Sequence, residues 1–195
     1  MFDQHVLVSA LFILITFTLS GVVHVLWLSH PLSERFSVPV DGGQTFRGRR
    51  IFGDNKKVRG FMIMPPAAAL TFYLFARLRS VLPDWYAEGL WSMSDGRFAF
   101  LGLIAGCCFM LGELPNSFIK RQFGVKPGQA AEQPLCRIIA AVADRLDSIT
   151  GTLIGISLFV PLPLMTCVYV VLFGPGLHLL FSAFLFHTKV KERVA

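Results

Sequence analysis

The sequence is short of charge. Charged residues make up 15% of its 195 residues, compared with about a quarter in typical soluble domains. Hydrophobic residues make up 54%, and a soluble domain of this length cannot bury that much apolar surface. The composition therefore excludes an ordinary soluble enzyme or binding module and predicts a protein embedded in a membrane.

Cysteine is also scarce, and its spacing excludes common metal and redox motifs. The four cysteines form no Cys-x-x-Cys pair and no Cys/His pattern typical of zinc sites. We therefore expect four reduced, small apolar side chains. The sequence also lacks a Ser/His/Asp pattern, an internal repeat and a low-complexity segment. We expect a single transmembrane domain over residues 1–195.

Apolar stretches long enough, or nearly long enough, to cross a hydrocarbon core occur five times; such a span needs roughly 20 residues. They are Val6–Leu28, Phe61–Leu82, Phe98–Leu114, Ile149–Val160 extended backward to about Val142, and Leu162–Phe186. The third is short, and we expect it to continue through Pro115 toward Lys120 as a kinked helix. The predicted fold class is an all-α, polytopic integral membrane protein with about five transmembrane helices.

Basic residues predict the orientation of these helices. Lys and Arg are concentrated in loops at about 31–60 and 121–141, and in the C-terminal tail. Cytoplasmic segments of membrane proteins carry this excess of positive charge. Five spans then place the N-terminus outside and the C-terminus in the cytoplasm. We expect a multi-pass protein of the cell membrane with both basic loops on the cytoplasmic side.

The first basic loop alternates glycines with cations over Arg47–Phe61. Glycine allows a backbone to approach a phosphate closely, and Lys and Arg neutralise its charge. The loop ends where the second helix is predicted to begin, and helix N-termini also favour anions. The loop as a whole is therefore a candidate phosphate site. The alternative is a loop that sets the topology and holds anionic lipid headgroups.

Acidic residues flank the second loop. Glu113, Ser117 and Lys120 are spaced i, i+4, i+7 and share one face of the third helix, while Asp144 and Asp147 share a face of the fourth. Carboxylates at a membrane boundary are costly. Mg²⁺ held between carboxylates and substrate phosphates would remove that cost. The alternative is a structural cluster of salt bridges among Glu113, Asp144, Asp147, Lys120 and Arg121.

Several motifs resemble the signature of membrane-embedded CTP:lipid-phosphate cytidylyltransferases. They are Phe52-Gly53-Asp54-Asn55-Lys56, Arg59-Gly60-Phe61, Ser117-Phe118-Ile119-Lys120-Arg121, Gly124-Val125-Lys126 and Asp144-Arg145-Leu146-Asp147. The similarity is closest to the short, five-helix CDP-archaeol synthase family, which is related to phosphatidate cytidylyltransferase. The sequence departs from that branch at Lys57-Val58, where Thr-Trp is usual, and at Glu113, where Asp is usual. The Pro-Gly-His-Gly-Gly run of bacterial-type phosphatidate enzymes is absent, which favours this branch.

The resemblance implies an enzyme of phospholipid biosynthesis that condenses CTP with a membrane lipid phosphate, giving a CDP-lipid and pyrophosphate. Its partners would be CTP and the lipid phosphate, without nucleic acid, and homo-oligomerisation stays open. The implied Mg²⁺ ligands are Glu113, Asp144 and Asp147. The implied catalytic residues are Asp144, Asp147, Glu113 and Lys120. The implied nucleotide- or phosphate-binding residues are Lys56, Arg59, Gly60, Ser117, Arg121 and Lys126.

The implied reaction needs no nucleophile on the protein, which is consistent with the absence of a Ser/His/Asp pattern. A lipid phosphate monoester has a second pKa near ~6, so it is already a dianion at neutral pH and can attack the α-phosphorus of CTP itself. Metal ions and a ring of Lys and Arg would align the two anions. Two alternatives remain from the sequence. One is a non-enzymatic transporter of lipid phosphate or ions, and the other is a degenerate family member that senses a nucleotide or an anionic lipid.

Overall fold

The protein is mainly helical. The computed structural model describes residues 3–125 and 134–187, and within these ranges the side chains of 134–145, 178–179 and 181–187 lie outside the description. The α-helices are α1 (Gln4–Ser29), α2 (Val58–Arg77), α3 (Asp84–Glu88), α4 (Asp95–Gln122), α5 (Pro134–Ser157) and α6 (Leu164–His187). Short 3₁₀ helices follow α1 at Pro31–Phe36 and α2 at Leu78–Ser80. Strands β1 (Thr45–Phe46) and β2 (Arg49–Arg50) form a small antiparallel hairpin.

The long helices follow the predicted apolar stretches, with shifted ends. The α4 helix runs unbroken past Pro115 to Gln122, which confirms the predicted continuation of the third stretch. The α5 helix begins at Pro134, eight residues before the predicted extension. Proline is favoured in the first turn of a helix because the missing N–H would have no intrahelical partner there. The short α3 helix and the hairpin were not predicted, because neither has an apolar stretch of its own.

Three helices among the described residues are long and apolar enough to cross a membrane. They are α1, the combined segment Val58–Ser80, and α4. The apolar part of α6 within the described residues, Leu164–Leu177, is shorter. The prediction of an α-helical membrane protein is therefore supported. The count of five spans and their orientation stay predictions.

Small residues allow α4 to pack closely against both of its neighbours. A Cβ added at Gly102 would lie 2.5 Å from the carbonyl oxygen of Ala68, and one at Gly106 would lie 2.7 Å from Cα of Pro65 on α2. Close backbone approach of this kind is the usual way in which helices associate in lipid. The packing fixes α4 as the central helix, in contact with α2 on one side and α5 on the other.

The α1 helix joins this group through aromatic packing and buried hydroxyl pairs. Phe12 of α1 contacts Phe72 of α2, with ring centroids 4.8 Å apart. The hydroxyls of Ser20 and Thr71 form a hydrogen bond of 2.8 Å between the same two helices. Such side-chain bonds between helices contribute to association because lipid offers the hydroxyls no other partner.

Candidate active site

The first loop is organised around one buried carboxylate, Asp41. Its oxygens accept hydrogen bonds from the backbone N–H groups of Gly43 at 3.1 Å, Phe52 at 2.9 Å and Gly53 at 2.9 Å. The Arg50 guanidinium also donates to it, at 2.5 Å and 3.3 Å. The Arg50 side chain and these backbone donors, which stabilise the charged form, hold the pKa of Asp41 well below its usual range although burial acts in the opposite direction. Asp41 therefore ties both ends of the hairpin segment together.

The hairpin is fixed to the last turn of α4. The Arg49 guanidinium donates to the carbonyl oxygen of Gln122, a partner that suits a cation because the C-terminal end of a helix is partially negative. The Gln122 side chain donates back to the carbonyl oxygen of Arg50 at 3.4 Å. The rings of Phe46 and Phe118 pack with centroids 5.8 Å apart. These contacts bring the first loop to the end of the bundle where α4 carries Glu113.

Lys56 is held by its backbone and points toward α4. Its carbonyl oxygen accepts from the N–H of Val40 at 2.8 Å, and the N–H of Val58 donates to Val38 at 2.9 Å, so the chain is clamped on both sides of Lys56. The Lys56 ammonium forms an ion pair with the carboxylate of Glu113. Both side chains are 22% exposed, so the pair is largely screened from solvent but still accessible.

Glu113 and Asp147 meet at one hydroxyl group. The second Glu113 oxygen lies 2.9 Å from Ser148 Oγ, and the same hydroxyl lies 3.2 Å from Asp147 Oδ1. The backbone N–H of Ser148 also donates to Asp147 Oδ1 at 2.6 Å, and the Asn116 amide donates to the other Asp147 oxygen at 3.2 Å. One hydroxyl proton cannot serve both carboxylates. Each oxygen of Glu113 and Asp147 also has a lone pair beyond the one that these donors use, so the two carboxylates keep acceptor capacity for a cation.

The two carboxylates are close because the helices that carry them are close. A Cβ added at Gly112 would lie 2.5 Å from the carbonyl oxygen of Asp147 and 3.1 Å from Cα of Gly151. One added at Gly151 would clash with the carbonyl oxygen of Cys108. Only glycine fits these two positions, and together they bring the backbone beside Glu113 against the backbone of Asp147.

Other predicted residues lie around this centre. Ser117 is buried, and its hydroxyl donates to the carbonyl oxygen of Glu113 at 2.9 Å. Gly60 is buried where α2 faces His24 and Met110. Lys120 and Arg121 lie in the last turn of α4 and are partly buried. Asp144 belongs to α5, one turn before Asp147, but its side chain lies outside the described residues, as does all of Lys126.

Arg59 has partners of its own at the edge of the site. Its guanidinium donates to Glu34 at 2.5 Å and to the Ser33 hydroxyl at 3.2 Å, and its carbonyl oxygen accepts from the Trp27 indole at 3.1 Å. The Arg59 side chain lowers the pKa of Glu34 by stabilising the charged form. Lys57, one of the departures from the family pattern, donates to the Ser37 hydroxyl at 2.6 Å and so lies outside the Lys56–Glu113 pair.

The oxygen donors fit a hard divalent cation in part. No group of three or more His, Cys, Asp or Glu side chains suited to a metal occurs among residues 3–125 and the described side chains from 146 onward. Mg²⁺, however, is commonly held by only one or two carboxylates together with substrate phosphates. Glu113 and Asp147, linked through Ser148, meet that lower requirement, with the predicted third ligand, Asp144, one turn away.

Sequence reasoning did not select Asp41, Ser148 or His24. Asp41 precedes Gly42-Gly43, a combination typical of turns. This pattern is the sequence feature that could have indicated that Asp41 organises the loop. Ser148 directly follows the acidic motif, yet a serine beside an aspartate carries no specific signal. Its role depends on how α4 and α5 pack.

Together these observations define a helical membrane protein whose basic loop and two acidic helices meet at one end of the bundle. The sequence model of the CarS-like family, described as CDP-archaeol synthase, matches residues 34–194, and the chain belongs to this family.

Individual relatives agree with this assignment over most of their length. The CDP-archaeol synthase of Thermofilum pendens is 34% identical over 175 residues, which cover 89% of this chain and 70% of the relative. That of Methanoculleus marisnigri is 29% identical over 163 residues, covering 79% of this chain and 87% of the relative. That of Archaeoglobus fulgidus is 28% identical over 185 residues, covering 88% and 96%. No solved structure is significantly similar to the chain.

Proposed function

We propose that this protein is a membrane cytidylyltransferase of phospholipid biosynthesis, which condenses CTP with a lipid phosphate to give a CDP-lipid and pyrophosphate. Family membership and the names of the relatives support the reaction class. Those names also make an archaeol-type ether lipid phosphate the first acceptor to test. The proposed topology has five spans, an outside N-terminus and the site at the cytoplasmic face.

The observation that carries this proposal is the convergence of Lys56, Glu113 and Asp147. They come from the first loop, α4 and α5, and they form one connected network through the ion pair and the Ser148 hydroxyl. Such a site joins a cation for phosphate oxygens to carboxylates for a metal ion. Both are needed where two polyanions must be brought together.

The reaction requires no covalent intermediate on the protein. A non-bridging oxygen of the lipid phosphate dianion attacks the α-phosphorus of CTP. The bond from that phosphorus to the oxygen bridging it to the β-phosphate breaks, and pyrophosphate leaves with both electrons of that bond. The protein has only to align the two phosphates and stabilise the charge of the transition state, so no Ser, Cys or His nucleophile is needed.

Each residue of the network has a role in that alignment. Lys56 exchanges its bond to Glu113 for a phosphate oxygen, while Lys120, Arg121, Arg59 and Lys126 add positive charge around the substrates. Glu113 and Asp147, with Asp144, would hold Mg²⁺, and Ser148 and Asn116 orient the carboxylates. When bound, Mg²⁺ neutralises phosphate charge and stabilises the leaving pyrophosphate. Only phosphates need to reach this site, so the lipid chains can stay between or beside the helices.

A nucleotide-by-lipid matrix tests the proposal. The purified full-length protein in detergent is given each of four nucleoside triphosphates with ester, ether or prenyl phosphates, and pyrophosphate release is measured with Mg²⁺ or with EDTA. We expect release with CTP, a lipid phosphate acceptor and Mg²⁺ together. Binding of nucleotide or lipid without turnover would instead identify a sensor. Lipid phosphate flux in proteoliposomes without nucleotide would identify a transporter.

A further inference from the structure

His24 is a partly buried polar side chain that the network described above leaves unused. It lies on α1, five residues before that helix ends at Ser29. Its Nε2 atom is buried and has no hydrogen-bond partner within the described part of the chain. Buried polar atoms in folded proteins are nearly always paired, so an unpaired one needs an explanation.

The imidazole faces the start of α2, beside the candidate site. A Cβ added at Gly60 would lie 3.2 Å from His24 Nε2 and 3.0 Å from the methyl group of Met110 on α4. The ring therefore occupies the space that the missing Gly60 side chain leaves. The charged groups that act on it are the carboxylate of Glu113 and the guanidinium of Arg59. His24 thus approaches the candidate site from α1, next to Gly60 and Met110.

The contact with Met110 indicates the depth of His24 in the bundle. Met110 and the His24 ring both lie beside Gly60, and Met110 precedes Glu113 by three residues of α4, about 4.5 Å, so His24 lies deeper than Glu113 when counted from the Gln122 end. A soluble nucleotide approaches from the aqueous end of the bundle, whereas the phosphate of a lipid approaches from the membrane side. The group on the membrane side of the Lys56–Glu113 pair is thus placed to meet the acceptor first.

We infer that the N–H at His24 Nε2 donates a hydrogen bond to a phosphate oxygen of the lipid phosphate and positions it beside the Lys56–Glu113 pair. This inference rests on the proposed function. It concerns a residue before position 34, where the match to the family begins. Such a bond satisfies the buried nitrogen in the bound state and adds a neutral or cationic donor for an anion.

Two substitutions at one position test the role. The amide nitrogen of His24→Gln can occupy the region of Nε2, whereas that of His24→Asn reaches only as far as Nδ1. We expect His24→Asn to raise the KM for lipid phosphate about tenfold, because a hydrogen bond to a charged group is lost. The KM for CTP should stay within about twofold. His24→Gln should stay within about threefold of wild type, and so should His30→Gln, an exposed control at the end of α1.

A lipid KM unchanged in His24→Asn, an equal loss in His24→Gln, or a larger effect on CTP than on lipid would overturn the inference. The last result would assign the nitrogen to the nucleotide instead. Thermal unfolding in detergent supplies a readout that needs no turnover. With EDTA and without nucleotide, lipid phosphate should raise the Tm of wild type and His24→Gln but not that of His24→Asn. Inorganic phosphate at equal concentration should produce no such difference.

The two proposals can fail separately. If no acceptor yields pyrophosphate but lipid phosphate still stabilises wild type and not His24→Asn, the reaction is wrong and the His24 contact stands. If CDP-lipid forms and His24→Asn keeps a normal KM and a normal thermal response to lipid, the reaction stands and the contact is wrong.

Discussion

The two ends of the helix bundle both carry charged clusters, but the clusters are built differently. At the candidate site, two carboxylates share one serine hydroxyl and the described contacts supply a single lysine. At the opposite end, one carboxylate, Asp95, is paired with two arginines. Arg79 there also donates to two backbone carbonyl oxygens and lies 4.8 Å from the Phe98 ring centroid. In the described contacts, the second cluster therefore has an excess of positive charge and the first an excess of negative charge.

One cavity among the described residues lies away from the candidate site. It has a volume of about 620 Å³ and lies beside Arg77, Arg79, Asp95 and Trp91, at the opposite end of the bundle. Its arginines already have partners, and it contains none of the residues that the family pattern would use. Carboxylate charge that nearby cations do not neutralise is a better guide to phosphate chemistry than empty volume, because a divalent metal ion is bound by such charge.

Removing a carboxylate should give the largest difference in activity between variants at the two ends of the bundle. Asp147→Ala should lower CTP-dependent pyrophosphate release by about 10²–10³-fold, since a group that supports the transition state is lost. Asp144→Ala should behave alike. Asp95→Asn, the matched change at the opposite end, should lower the Tm but keep turnover within about twofold. Near-full turnover in both Asp147→Ala and Asp144→Ala would remove the metal assignment.

Removing a cation should show the same asymmetry with a smaller effect. Lys56→Ala should reduce kcat/KM about 10- to 100-fold, because a charge-assisted bond to phosphate is worth about 1.5–3 kcal/mol. Arg77→Ala, an exposed cation at the other end, should change it less than twofold. Steady-state kinetics with saturating lipid phosphate would measure both. Equal losses in the two variants would mean that the location of the removed cation in the bundle does not affect the reaction.

Substitution of Asp41 should affect the stability of the protein more than its catalytic activity. Asp41→Asn should lower the free energy of unfolding by about 2 kcal/mol, because charged hydrogen bonds to the loop are lost. The depressed pKa fixes the sign of the pH dependence: the contribution is complete above the unfolded value of about 3.9 and is lost as the pH falls below it. The Tm difference from wild type should therefore stay constant from pH 8 to 5. A difference that shrinks within that range would contradict this account.

Removing the Ser148 hydroxyl, which both carboxylates share, should have the smallest effect. Ser148→Ala should lower kcat/KM about three- to tenfold, because the carboxylates lose one orienting hydrogen bond and keep their charges. Ser20→Ala is the control, since its hydroxyl bonds to Thr71 between α1 and α2, away from the carboxylates. That variant should change the Tm alone. Equal kinetic effects in both would show that Ser148 acts only through packing.

Much of the helical fold could be predicted because a helix that crosses a membrane needs a long apolar stretch, which is visible in the sequence. Long apolar stretches, with the predicted continuation of the third toward Lys120, located α1, α2 and α4 to within a few residues. Elements without such a stretch were missed. The hairpin has two residues in each strand and depends on Asp41 and on contacts with the end of α4, which are distant in sequence.

The sequence predicted which residues form the candidate site better than it predicted which of them pair with each other. Glu113 and Asp147 were expected to meet, and the structure brings them to one hydroxyl. The partner of Glu113 is Lys56 from the first loop, whereas the alternative salt-bridge cluster had been drawn from α4 and α5 alone. Arg59 faces Glu34, and its predicted phosphate contact stays a prediction. Pairing depends on side-chain reach and helix rotation, which residue spacing does not specify.

The sequence by itself determined that the chain is a helical membrane protein with acids and cations gathered near two loops, because apolar length and charge placement are local properties. Only the tertiary structure decided which of those charges meet. Gly112 and Gly151 bring two helix backbones together, and the Asp41 network turns the first loop back onto α4. Both effects join residues far apart in the chain, so neither can be read from one segment alone.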